Sequence, residues 1–210
     1  MEQGSPEWFE ARLGKVTASK ISDVMSKGRG TAPSATAATY MSQLVCERLT
    51  GKPTATFTSA AMEHGTETEA QARAMYSLER LVAVEEVGSI NHPSMEMASA
   101  SPDGIVGADG LVEIKCPQPK KHLANLMGCK IDRPYILQMQ WQMECTDRAW
   151  CDFVSFNPDF PAHMQIHIQR VLRDEQILDE IRKSVTEFLL NTSKMIAELN
   201  AKFNDTMAAE

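Results

Sequence analysis

The sequence predicts an α/β fold in which helices flank a small mixed β-sheet and a long helix closes the chain. Three observations carry this expectation. Leu111-Val112-Glu113-Ile114-Lys115-Cys116 places charge at every second position of an apolar run, the period of a strand. Segments on either side of it carry apolar residues at helical spacing, so helices come before, between and after the strands. Near the end, Ile177, Leu178, Ile181, Val185, Phe188, Leu189, Ile196, Leu199 and Phe203 form one continuous stripe. With 210 residues, one domain over 1–210 is the expectation, large enough to bury a substantial core.

Taken in order, residues 16–27 predict a short helix, capped by Thr17 or Ser19, with Ile21, Val24 and Met25 inward and Gly28 at its end. Residues 34–50 predict a second, on Tyr40, Met41, Leu44, Val45 and Leu49, stopped by Gly51 and Pro53. A third spans about 59–78. Strands are expected at 81–91 and 95–100, then a hairpin over 101–116 with Asp-Gly turn signals at 103–104 and 109–110. Helices follow at about 119–128 and 134–145, the latter opened by Pro134. Strands at 148–156 and 163–172 precede the final helix.

The chain carries a net charge of −7, which weighs against a polyanion partner until its distribution is read. Residues 11–30 carry Arg12, Lys15, Lys20, Lys27 and Arg29 against Asp23. Residues 115–133 carry Lys115, Lys120, Lys121, Lys130 and Arg133 against Asp132. Two basic stretches on an acidic body suit a polyanion held in one groove, and equally suit solvated loops. The five cysteines form no C-x-x-C pair, which argues against a disulfide framework and a zinc site. No apolar run approaches the ~20 residues that span a bilayer, and no signal pattern opens the chain. A cytoplasmic protein without a membrane partner is expected.

The chemistry sits in Ser101-Pro102-Asp103-Gly104 and Glu113-Ile114-Lys115: an aspartate, a nine-residue gap, then Glu-x-Lys. Two carboxylates hold a hard divalent cation through oxygen, and a neighbouring lysine can manage an attacking water. On a strand Glu113 and Lys115 share one face, with Val112, Ile114 and Cys116 on the other. The expectation is a buried apolar face and a charged pair at the sheet surface, with the hairpin returning Asp103 beside Glu113. An exposed strand with an ordinary ion pair would read the same way.

More residues join these in a fixed order: Trp8, Arg12-Leu13-Gly14, Thr17-Ala18-Ser19, Gly65-x-x-x-Glu69, Glu113-Ile114-Lys115-Cys116-Pro117 and Gln138-Met139-Gln140. The ordered set resembles the lambda exonuclease family, the YqaJ-like viral recombinases, of the PD-(D/E)xK nuclease superfamily, over about residues 5 to 190. The resemblance implies a restriction-endonuclease-like core. It also implies a 5′-to-3′ exonuclease that degrades one strand of linear duplex DNA and leaves a 3′ single-stranded overhang. Two Mg²⁺ ions, with Mn²⁺ as a substitute, a homotrimeric ring around the DNA and a single-strand annealing recombinase as partner are implied with it. So is a phage or prophage origin in a bacterial host.

Carried across by position, Glu69, Asp103, Glu113 and the carbonyl of Ile114 resemble the metal ligands. Lys115 resembles the residue that orients and helps deprotonate water, its pKa lowered beside a metal, and Gln138 the assisting glutamine. Gln140 points elsewhere by helical spacing. Arg12 is the candidate grip on a 5′-phosphate because a guanidinium binds phosphate bidentately; Ser19, Ser101 and Lys121 are further candidates. Met62 matches an apolar wedge that separates terminal base pairs. Two other readings stay open: an endonuclease or junction resolvase of the same superfamily, and a DNA-binding module without catalysis.

Overall fold

The computed structural model describes residues 2–28, 34–54 and 60–207, with the backbone alone at 60–67 and 204–207. Helix α1 (Pro6–Arg12) starts where Ser5 accepts the Trp8 N–H on its side chain and Pro6 occupies the first turn. The segment expected as a helix over 16–27 begins instead as a strand, β1 (Val16–Thr17). It passes through a 3₁₀ turn (Ala18–Lys20) into the single turn α2 (Ile21–Val24). The cause is non-local: β1 lies parallel to β4 (Ala98–Ala100), and the Val16 N–H donates to the Met97 carbonyl at 2.9 Å. Helix α3 (Ala35–Thr50) has Ser34 as its cap and ends at Gly51 in the left-handed conformation (φ 64°), as glycine allows. Helix α4 spans Ala60–Arg80.

The strands form two small mixed sheets where one was expected. Strands β1, β4 and β3 (Ile90–Asn91) make the first, in the order β1-β4-β3. The second has five strands ordered β2-β5-β6-β7-β8: β2 (Val84–Glu85), β5 (Gly104–Val106), β6 (Gly110–Lys115), β7 (Trp150–Phe156) and β8 (Ile166–Leu172). The β5–β6 hairpin pairs Gly104 with Val112. Its reverse turn falls at residues 107–109, where Gly107 has φ 58°, so the second Asp-Gly step closes the turn and opens β6, whereas Asp103-Gly104 opens β5. Strand β6 runs parallel to β7, and the crossover between them carries α5 (Pro119–Leu126) and α6 (Arg133–Thr146). His163 and Met164, expected in the last strand, belong instead to a 3₁₀ turn (Ala162–Met164) before β8.

Helix α6 is the hinge of the packing. Its Leu137, Trp141 and Cys145 join β1, α2, α3 and the front of α7 (Glu175–Met207) in one apolar cluster. Its Met139 and Met143 pack on Leu111, Cys151 and Phe153 of the five-stranded sheet. The other face of that sheet meets α4 through Val112, Ile114, Ala72 and Tyr76. Strand β6 is therefore covered on both faces, which corrects the expectation of a charged pair at a sheet surface: Glu113 is 0 % exposed. Among the described residues no helix is long and apolar enough to cross a membrane.

Candidate active site

The β5–β6 register brings Asp103 against β6, where its Oδ2 accepts the Ile114 N–H at 2.6 Å. On the α6-facing side of the same strand the Lys115 ammonium lies 2.5 Å from Glu113 Oε1 and 5.1 Å from the centre of the Tyr135 ring. Two amides of α6 complete the shell of Glu113: Gln138 Nε2 donates to Oε1 at 2.7 Å and Gln142 Nε2 to Oε2 at 2.6 Å. On α4, Glu69 pairs with Arg73 at 2.6 Å, and Arg73 also meets Glu86 at 3.0 Å and the Asp103 carbonyl at 3.2 Å. Burial, then the charge of Glu113, pushes the Asp103 carboxyl well above its ordinary pKa. Burial raises Glu69 as well, against the pull of Arg73. For Lys115 burial acts against the charge, but Glu113 and Asp103 outweigh it and raise its pKa. Without a metal, Glu113 and Asp103 thus favour the Lys115 ammonium.

A cavity of about 910 Å³ adjoins the cluster. Glu69, Arg73 and Asp103 line one part of it, and Trp8, Arg12, Lys15, Ser19, Lys20 and Tyr40 line another. Arg12 ends α1, its guanidinium 4.0 Å from the centre of the Trp8 ring. Its Nη1 donates to Ser101 Oγ at 2.8 Å, and Trp8 Nε1 donates to the same oxygen at 3.1 Å. Ser101 is thus a neutral acceptor that fixes both. No carboxylate pairs with Arg12 among the described residues. Burial lowers its pKa to about 10, which leaves it charged at neutral pH. A half-buried cation without a counter-ion, beside a carboxylate cluster, is a place for an anionic ligand.

Residues 7–149 match the YqaJ-like viral recombinase domain. The chain belongs to the YqaJ-like viral recombinase family. A solved alkaline exonuclease from Laribacter hongkongensis is 44 % identical to it, with 96 % of this chain and 100 % of that one covered and a TM-score of 0.89. The complex of that exonuclease with dAMP superposes with a TM-score of 0.90 at the same identity and coverage. A phage-related exonuclease from Haemophilus somnus 129PT, 19 % identical with 88 % of this chain and 96 % of that one covered, shares the fold at a TM-score of 0.69. No curated protein sequence matches the chain.

In this YqaJ-like chain the expected site residues divide into groups. Asp103, Glu113, Ile114, Lys115 and Gln138 form one bonded unit, and Arg12 and Ser101 another, with Ser19 on the cavity wall. Glu69 lines the cavity but is held by Arg73. Lys121 is not on the cavity wall; its ammonium, on α5, pairs with Asp132 at 2.7 Å. The side chain of Met62 lies outside the described residues. Gln140 turns away, to the Leu172 carbonyl and the Asp174 N–H. Sequence reasoning passed over Gln142 and Arg73, although each stands four residues from a recognised one, Gln138 and Glu69, on the same helix face.

The fit of this shell to a hard cation rests on its chemistry. Among the described residues no three His, Cys, Asp or Glu side chains are drawn together as a ready metal cage. Yet the donors are oxygens, Asp103 feels the charge of both Glu113 and Glu69, and burial leaves it short of countercharge. Glu69 stands close enough to feel the charge of Glu113, although it is paired with Arg73. The residues fit Mg²⁺ or Mn²⁺.

Proposed function

We propose that this chain is a Mg²⁺-dependent 5′-to-3′ exonuclease that removes one strand of linear duplex DNA and leaves a 3′ single-stranded overhang for recombination by strand annealing. The observation that carries the reading is the shared cavity: Arg12, with no carboxylate partner among the described residues, opens on the same space as Glu69 and Asp103, and Asp103 is bonded to the strand that carries Glu113 and Lys115. Membership of the YqaJ-like family and 44 % identity to an alkaline exonuclease support it.

Glu69, Asp103, Glu113 and the Ile114 carbonyl would hold the metal, two Mg²⁺ ions with Mn²⁺ as a substitute. Bound there, the ions supply Lewis acidity to phosphodiester hydrolysis. Lys115, bonded to Glu113, would orient the attacking water and help deprotonate it once bound cations offset the carboxylates that hold its charge. Gln138 steadies the same carboxylate. Arg12 receives the 5′-phosphate, with Ser101 fixing its direction and Ser19 on the wall beside it. In this reading Lys121 meets the DNA backbone farther out, Met62 parts the last base pairs, three copies ring the duplex, and an annealing recombinase takes the overhang; the resemblance to the family supports these roles. The setting is the cytoplasm of a bacterial host carrying a phage or prophage.

The test is digestion of linear duplex with 5′-phosphate or 5′-hydroxyl ends, beside a closed circle and the Lys115→Ala variant. Loss of one strand from the phosphorylated duplex, an intact circle and a dead variant are expected. A cut circle moves the chain to the endonuclease reading, and no cleavage leaves a binding module.

A further inference from the structure

Helix α6 aims two amides at one carboxylate. Gln138 and Gln142, four residues apart, lie one above the other on the helix face, and each takes one oxygen of Glu113. The two oxygens differ in company. Oε1 also receives the Lys115 ammonium and so lies on the side of the polar cluster. Among the described residues Oε2 is hydrogen-bonded to Gln142 alone. Gln142 is 0 % exposed, and its own carbonyl oxygen is buried without a hydrogen-bond partner among the described residues. An unpaired buried carbonyl is costly and asks for a reason. The reason is the acceptor it faces: an ionised carboxylate takes only donors, so the amide presents Nε2 to Glu113 and leaves its oxygen orphaned.

We propose that Gln142 is a positioning residue that anchors Glu113 by Oε2 and keeps Oε1 turned to Lys115 and Gln138. The inference rests on the metal-dependent reading above and deepens it. With Oε2 held in the interior, Glu113 cannot rotate about its terminal bond. It then presents a single oxygen on the Lys115 side of the cluster, and a fixed direction of that kind is what the partners of metal ligands supply. Gln138 has a different part, because it shares Oε1 with Lys115 on the cluster side.

The experiment is calorimetric titration of the full chain with Mg²⁺ and with Mn²⁺, without DNA, for wild type and for Gln142→Met, which keeps the length and removes the donor. Thermal unfolding in EDTA and binding of a 5′-phosphorylated duplex in EDTA are measured beside it. Metal affinity should fall roughly 10- to 100-fold in the folded variant, with DNA binding in EDTA unchanged. A residue that only packs would lower the unfolding midpoint and leave the metal affinity as it was; that result overturns the proposal. If Gln142→Met does not fold, Gln142→Asn, which keeps the amide but falls a methylene short, takes its place with the same expectation. A wild-type chain that binds neither ion overturns the metal reading and this inference with it. Equal affinity in variant and binding wild type overturns this inference alone.

Discussion

Asp103 stands in a shell whose cations are taken by others, Lys115 by Glu113 and Arg73 by Glu69. What it has is one backbone N–H, from Ile114. Its carboxyl pKa is raised by burial and then by Glu113. A carboxyl raised in the folded state binds its proton more tightly there than in the unfolded chain. The stability it contributes is full below its ordinary pKa and is lost as pH rises through the raised folded value. Above its ordinary pKa, and without metal, Asp103 therefore weakens the fold. Asp103→Asn keeps an acceptor for Ile114 and removes the charge. In EDTA it should unfold at higher urea than wild type near pH 8, with the gap narrowing as pH falls to about 5, nearer the ordinary aspartate range, while cleavage is lost. Urea unfolding at the two pH values checks this, and a variant less stable than wild type near pH 8 would refute the charge argument. Activity and stability pull against each other at such a site.

Two glycines let β5 and β6 close on their neighbours. A Cβ on Gly110 would stand 2.2 Å from the Trp150 ring, and one on Gly104 would stand 2.2 Å from Val84 Cγ1 and 3.0 Å from Val112 Cγ1. The indole cannot yield freely, since Arg170 stacks on it at 3.5 Å and is itself bonded to the buried Asp152. Gly110→Ala should cost about 1–3 kcal/mol in urea unfolding, as overpacking does. Gly104→Ala should cost a similar amount and, by displacing Asp103 next to it, also weaken Mg²⁺ binding by calorimetry; equal metal affinity in the two variants would argue against that coupling. The hairpin was legible because alternation and its bounding glycines are local signals, and so was the return of Asp103 to Glu113. The 16–27 segment was misread because Ile21, Val24 and Met25 do have helical spacing, while the strand at Val16 exists only through a partner about eighty residues away. Helix α1 left no apolar stripe to read, since none of its residues is buried; its Ser5-Pro6 start was the signal available. Gln142 was visible only by counting four along α6 from Gln138, because the motif draws the eye to Gln140.

On the scale of the molecule, a net charge of −7 opposes DNA everywhere except where cations are unpaired. Four basic side chains line the cavity: Arg12, Lys15, Lys20 and Arg73. Lys20 is held by Asp23, and Arg73 by Glu69 and Glu86, whereas Lys15 meets only the neutral Asn91 amide and Arg12 the Ser101 hydroxyl. Among the described residues of the cavity wall, two cations are thus left to neutralise the terminal phosphate, with Lys121 tied to Asp132 farther out. Counterion release gives a slope of log affinity against log salt near −0.9 per phosphate neutralised. Per chain, binding of a 5′-phosphorylated duplex end in EDTA should therefore follow a slope of about −2, far shallower than a protein that tracks the backbone with many lysines. Arg12→Ala should reduce it by about one and erase the preference for a phosphate over a hydroxyl at the end. Fluorescence titrations between about 50 and 200 mM KCl measure both. A steep slope that Arg12→Ala leaves unchanged would place the DNA on the exposed lysines of α5 and its flanks, and would take the phosphate contact away from this cavity.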